Sequence, residues 1–214
     1  MPVKARNIHI QSLETSTALS AYYIPKFIPP LEVFRVLNAA KVRFMLVGTH
    51  ALGGWTRRPR TTTDIDILVG TRLHKKAVRV LLTAFPQLHS EEQEDETHLR
   101  DADTGQVLID VMKENQPLYR AALRNKHPVK WKDQTYWIPS LELALAMKFT
   151  AMFSATRGSA DKHCDAGDFV GMIQSNLAID SRKLHALGQF VYNGGGGEIV
   201  EMVRKVRAGE KLTL

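Results

Sequence analysis

Two aspartates two residues apart, Asp64 and Asp66 in TDIDILVG, carry the strongest chemical signal in the chain. The alternation around them reads as a strand with Ile65, Ile67 and Val69 on one face and Asp64, Asp66 and Leu68 on the other. Two carboxylates held this close repel each other, and an apolar face does not tolerate them unpaired. A divalent cation removes that penalty. Mg²⁺ takes carboxylate oxygens and keeps coordination positions free for substrate phosphates, and Mn²⁺ is the alternative ion. Asp110, after the apolar run Val107-Leu108-Ile109, offers a third carboxylate from another strand. Three such groups suit metal-assisted phosphoryl or nucleotidyl transfer. Gly48 and Thr49, just upstream, bring backbone, a hydroxyl and a helix N-terminus suited to phosphates.

The elements around these residues follow from periodicity and punctuation. Pro29-Pro30 opens a helix through LEVFRVLNAAKV, and RFMLVG reads as a buried strand, Phe44 to Val47. THALGGWTRR reads as a loop leading into a short helix, and RLHKKAVRVLLTA as an amphipathic helix over residues 72–84. Asp103-Thr104-Gly105 marks the turn of a hairpin whose second strand carries Asp110. The acidic stretch Glu91 to Glu96 reads as a solvated loop and not as a metal site. WKDQTYWIP supplies a strand pair or a surface loop. Ser140 caps the helix SLELALAMKFTAMF, and further helices start near Ala160 and Ser181. Gly194 to Gly197 read as a flexible connection before a last amphipathic segment.

The expected fold class is therefore α+β: a mixed sheet of about five strands with helices on one side, then a bundle of three or four helices. The division is an N-terminal arm or short helix over 1–28, an α/β domain over 29–139 and a helical domain over 140–214.

Composition bounds the class. The 214 residues are 44% hydrophobic and 24% charged, which excludes a disordered chain. Lys and Arg number 29 against 22 Asp and Glu, and the net charge of +7 suits a polyanionic partner such as RNA or a nucleotide. Cys164 is the only cysteine, so no intrachain disulfide forms and a reducing compartment is expected. No apolar leader opens the chain and no run approaches the roughly 18 to 20 apolar residues of a membrane span. The expected location is the cytoplasm.

The stretch VGTHALGGWTRRPRTTTDIDILV resembles the signature of the nucleotidyltransferase superfamily related to DNA polymerase β. Its form Arg60-x-Thr62-x-Asp64-Ile65-Asp66 resembles the bacterial branch of abortive-infection and type IV toxin nucleotidyltransferases, over roughly residues 40 to 172. Thr49 stands where that family usually has Gly or Ser, and it can supply the same hydroxyl. Lys148 in LAMKFTAMF matches a family lysine, and Arg157 through Asp168 resembles an acidic helix in which Asp161, Asp165 and Asp168 are alternatives for the aligned residue.

The resemblance implies a Mg²⁺-dependent enzyme that moves an NMP from an NTP to a hydroxyl acceptor. Asp64, Asp66 and Asp110 would hold metal, and Asp110 would also help deprotonate the acceptor. Gly48, Thr49, Arg60 and Lys148 would meet the triphosphate. The acceptor would be RNA or a protein side chain, in the setting of a toxin with an antitoxin partner or of phage defence. Two other readings stay open: transfer to a small molecule of the antibiotic type, and a non-catalytic antitoxin or RNA-binding relative.

Other residues invite stories. Arg57 and Arg58 could meet triphosphate or RNA, or be solvated. His163-Cys164-Asp165 point apart on a helix, so their adjacency is accidental. His50 reads as structural, and Trp55, Trp131 and Trp137 read as packing residues.

Overall fold

The structure, a computed structural model, describes residues 3–122 and 124–212. The first helix, α1 (Val3–Tyr23), runs 21 residues and packs along α3 (Gly48–Thr56), so the N-terminal segment is neither short nor extended. Next come α2 (Pro30–Ala39), with proline in its first turn, and β1 (Phe44–Leu46). Helix α3 begins at Gly48 itself, with no intervening loop. Then follow β2 (Ile65–Val69), α4 (Thr71–Ala84), β3 (Leu88–Glu92), β4 (Glu96–Asp101), β5 (Val107–Lys113) and α5 (Pro117–Ala122). The hairpin β6 (Lys126–Trp131) and β7 (Gln134–Pro139) completes the sheet, and WKDQTYWIP is thus a strand pair.

Among the described residues seven strands form one mixed sheet, in the order β3-β4-β5-β2-β1-β7-β6. That is wider than the five expected, because the acidic stretch and the Trp-rich stretch each pair as hairpins. Glu91 and Glu92 close β3 and Glu96 opens β4, so the acidic segment is a hairpin end and not a free loop.

Helices cover both faces of the sheet. Phe44, Leu46, Ile65, Ile67 and Val69 face a core with Phe34, Ala77 and Leu81 from α2 and α4. Met45, Val47 and Leu68 face a second core with α3, α5 and the C-terminal helices. A strand that is apolar at every position, as FMLV is, is the pattern of a sheet buried on both sides.

The C-terminal part holds α6 (Leu141–Phe153), α7 (Ser159–Ser175), α8 (Ser181–Gly188) and α9 (Gly195–Arg207). The Ser140 hydroxyl caps α6 by accepting from the Leu143 amide at 3.3 Å, and the Asp180 carboxylate caps α8. The glycine run is not a flexible connection. A β-carbon on Gly195 would lie 2.6 Å from the Gly188 carbonyl oxygen, and one on Gly196 2.5 Å from that of His185. These glycines let α8 and α9 touch backbone to backbone. No helix among the described residues is long and apolar enough to cross a membrane.

Candidate active site

Strands β2 and β5 pair in parallel with Asp66 directly beside Asp110. Both therefore leave the sheet on the face that looks toward α6 and α7. Asp64 stands one residue before β2, and the Thr62 hydroxyl donates to its Oδ1 at 2.6 Å. One oxygen from each of Asp64, Asp66 and Asp110 lies within 4.8 Å of the others, a spacing that suits a shared divalent cation. No lysine or arginine pairs with any of the three among the described residues.

Gly48 closes the site from below. Its φ of 59° is left-handed, and a β-carbon there would fall 1.8 Å from Asp66 Oδ2. Only glycine fits. The start of α3 thus presses its backbone against the carboxylate, and the Val47 amide donates to the Asp66 carbonyl at 2.9 Å.

Electrostatics reflect this crowding. Burial, with the charges of Asp64 and Asp110, raises the Asp66 carboxyl well above the usual carboxylate range. Burial also pushes Asp110 up to about 6, although a hydrogen bond with His98 acts in the opposite direction. Both shifts express a need for positive charge.

His98 was absent from the sequence reading. Its Nδ1 lies 2.5 Å from Asp110 Oδ1, and its Nε2 lies 3.6 Å from Glu96 Oε1. Glu96, His98 and Asp110 also bring one ligand atom each within 4.8 Å, so Glu96 at the end of the acidic stretch lies beside the site. The reason for the miss is a register shift between Leu99 and Arg100: Arg100 faces Val107, yet His98 faces Asp110. Leu108 and Ile109 accordingly enter the same core. Counting back from the turn without the bulge would place His98 opposite Ile109. The available signal was the alternation in ETHLRD, which puts Glu96 and His98 on one face and Thr97, Leu99 and Asp101 on the other.

A second cluster lies across the cleft. Lys148 on α6 is buried, and its Nζ lies 2.7 Å from Asp165 Oδ1 and 2.8 Å from Asp168 Oδ2. Arg157 reaches Asp165 at 2.9 Å. Arg60 reaches Asp168 at 3.1 Å and donates to the Thr49 hydroxyl at 2.8 Å. Three cations and two carboxylates leave one net positive charge beside the loop. Of the three acids left open by the sequence, Asp165 and Asp168 join Lys148, while Asp161 is exposed in the first turn of α7. A cavity of about 90 Å³ joins the two clusters, with Gly48, Asp66, Tyr119, Lys148, Arg157 and Asp165 in its wall.

The remaining candidates lie apart from this chemistry. His50 is buried with its Nδ1 3.3 Å from the Ser16 hydroxyl, and burial lowers it to about 4. His163 contacts the Ser159 carbonyl and Cys164 is exposed. Trp55 donates to the Pro139 carbonyl, Trp131 to Glu14, and Lys126 lies over the Trp137 ring. Arg57 and Arg58 are exposed, with no ion pair among the described residues.

No family model and no curated protein matches the chain. Solved structures do. An antigenic nucleotidyltransferase-like protein from Paracoccidioides brasiliensis superposes with a TM-score of 0.50 at 17% identity, over 94% of each chain. The antibiotic-resistance factor ANT(2'')-Ia superposes with a TM-score of 0.54 at 10% identity, over 85% of this chain and 96% of that one. The fold is nucleotidyltransferase-like. The resemblance carried by Gly48, Asp64 and Asp66 thus extends from the motif to the architecture, and the nucleotidyltransferase-like sheet is what brings Asp110 beside Asp66.

Proposed function

We propose that this protein is a Mg²⁺-dependent nucleotidyltransferase that moves an NMP from an NTP to a hydroxyl acceptor. The observation that carries the reading is the triad Asp64, Asp66 and Asp110, in no ion pair with lysine or arginine among the described residues and closed by Gly48 at a left-handed φ. These carboxylates would hold Mg²⁺, or Mn²⁺, which when bound neutralises charge on the reacting phosphates. The acceptor oxygen would attack the α-phosphorus, the bond to pyrophosphate would break, and Asp110 would receive the hydroxyl proton. Thr49 and Arg60 border the Gly48 loop and serve the triphosphate. Lys148 acts there as one member of a cluster with Arg60, Arg157, Asp165 and Asp168, not as a free cation.

Residues 29–139 would then form the nucleotidyltransferase unit, 140–214 its helical cover and 1–28 an appended N-terminal segment. The net charge of +7 favours an RNA or another polyanionic acceptor over a cationic drug. The motif resemblance suggests a cytoplasmic toxin or phage-defence enzyme with an antitoxin partner. Likeness in fold to an antibiotic-resistance factor keeps small-molecule transfer as the second reading.

Incubation with each α-labelled NTP, Mg²⁺ and, in separate reactions, total RNA, protein lysate or an aminoglycoside tests both. Label in RNA or protein that disappears with Asp64→Asn supports the proposal. Label only on an aminoglycoside-type acceptor supports the second reading, and no transfer to any acceptor leaves a non-catalytic relative.

A further inference from the structure

Helix α1 lies outside the stretch that carries the motif, and its buried face is polar. His9, Ser12, Ser16 and Ser20 are buried at three- and four-residue spacing, with Leu13 among them. Buried hydroxyls cost free energy unless they find partners. Exposed Thr15 donates to its own helix at the Gln11 carbonyl. Ser16 and Ser20 do not. The Ser16 hydroxyl donates to the Arg60 carbonyl at 2.6 Å, and the Ser20 hydroxyl accepts from the Thr62 amide at 3.2 Å.

Both contacts land on the segment that feeds the metal strand. Thr62 in turn donates to Asp64 Oδ1, and the Arg60 side chain bridges Thr49 and Asp168. A hydroxyl has one proton, and Ser16 gives its proton to Arg60, so its lone pair is left for the Nδ1–H of His50 at 3.3 Å. His50 is the neighbour of Thr49. Ser12 completes the approach, since a β-carbon on Gly53 of α3 would lie 2.3 Å from Ser12 Oγ. Among the described residues, no backbone–backbone hydrogen bond outside regular elements involves residues 58–62. Side chains hold that segment, and α1 supplies two of them.

We infer that α1 is a positioning element of the site, and that Ser16 and Ser20 are positioning residues that set Arg60 and Asp64 through the backbone of the intervening loop. This rests on the reading of Asp64 as a metal ligand. Each serine contributes one hydrogen bond to the loop, and the loss of one is worth up to about ten-fold in an equilibrium.

The test uses the full chain and Mn²⁺ alone, followed by electron paramagnetic resonance, with amide exchange read at Thr62. In Ser20→Ala the Thr62 amide should exchange about ten-fold faster, and in both Ser16→Ala and Ser20→Ala the Mn²⁺ affinity should fall about five-fold. Ser20→Thr should restore both readouts, and Thr15→Ala should change neither. Unchanged affinity and exchange in the alanine variants, with Asp64→Asn abolishing Mn²⁺ binding, would overturn the positioning role and leave the metal site standing. Full Mn²⁺ binding by Asp64→Asn would instead remove the metal reading, and exchange at Thr62 would still decide whether α1 holds the loop.

Discussion

Gly48 and Asp66 share one volume: the hydrogen atom on the Gly48 α-carbon occupies the place where any β-carbon would lie 1.8 Å from Asp66 Oδ2. The clash is with the end of a side chain, so the fold can survive a substitution by moving the carboxylate. Function cannot. Gly48→Ala also adds about 1–2 kcal/mol of backbone strain at φ 59°. We expect a folded protein with a lowered melting temperature and at least ten-fold weaker Mn²⁺ binding, roughly the effect of losing one charged ligand contact. Unaltered Mn²⁺ affinity in Gly48→Ala would show that Asp66 needs no such fit.

The acids of the site destabilise the metal-free fold near neutral pH. The Asp110 carboxyl is raised from 3.8 to about 6 in the folded protein. The folded state therefore holds this proton more tightly than the unfolded one, and the Asp110 contribution to stability falls as pH rises from about 4 to about 6, against the opposite slope of buried His9 and His50, which burial lowers to about 3 and about 4. One such group accounts for about 3 kcal/mol, and Asp66 is shifted in the same direction. Asp110→Asn should gain stability over the wild type as pH rises from about 4 to about 6 and stay more stable at pH 7.5, and Mg²⁺ should stabilise the wild type but not the variant. Urea denaturation of both proteins from pH 4 to 7.5 reads it out, and a stability difference between variant and wild type that does not grow across that window would contradict the Asp110 shift.

Lys148 has structural and functional partners that one double substitution separates. Removal of its charge leaves buried Asp165 and half-buried Asp168 against one arginine each, a loss of about 3 kcal/mol for the broken pair with Asp165. Lys148→Met should therefore lower both stability and NTP affinity, with Lys148→Arg restoring only part because the guanidinium is wider and planar. Adding Asp165→Asn to Lys148→Met should recover stability and leave NTP affinity low. Recovery of NTP affinity in the double variant would make the lysine a purely structural partner.

His98 holds Asp110 by a hydrogen bond that favours the charged carboxylate. In His98→Ala the Asp110 carboxyl should rise further, so Mn²⁺ affinity should drop at pH 6.5 and approach the wild type by pH 8.5. His98→Asn, which retains a donor, should lie between. A pH-independent loss would mean that the imidazole contributes to packing alone.

Much of this architecture was legible because local chemistry and periodicity agree. Strict alternation in TDIDILV separates the two faces of β2, while Ser140 marks a helix start by its cap and Pro30 by its first-turn geometry. What stayed hidden depends on tertiary register. His98 meets Asp110 only because a bulge shifts the β4–β5 pairing. The choice among Asp161, Asp165 and Asp168 depends on how α7 is rotated against α6. The polar seam of α1 has no amphipathic signature, so Ser16 and Ser20 read as ordinary surface residues until Arg60 and Thr62 are beside them. The glycine run looked flexible because a close helix contact leaves the same composition as a linker.

Calorimetry of Mg²⁺–NTP binding to the wild type and to the Asp64→Asn/Asp66→Asn pair tests the central claim most directly. Binding by the wild type that is lost in a variant at least as stable is the expected result. Equal binding by both proteins would mean that these carboxylates hold no metal–nucleotide complex, and would contradict the account.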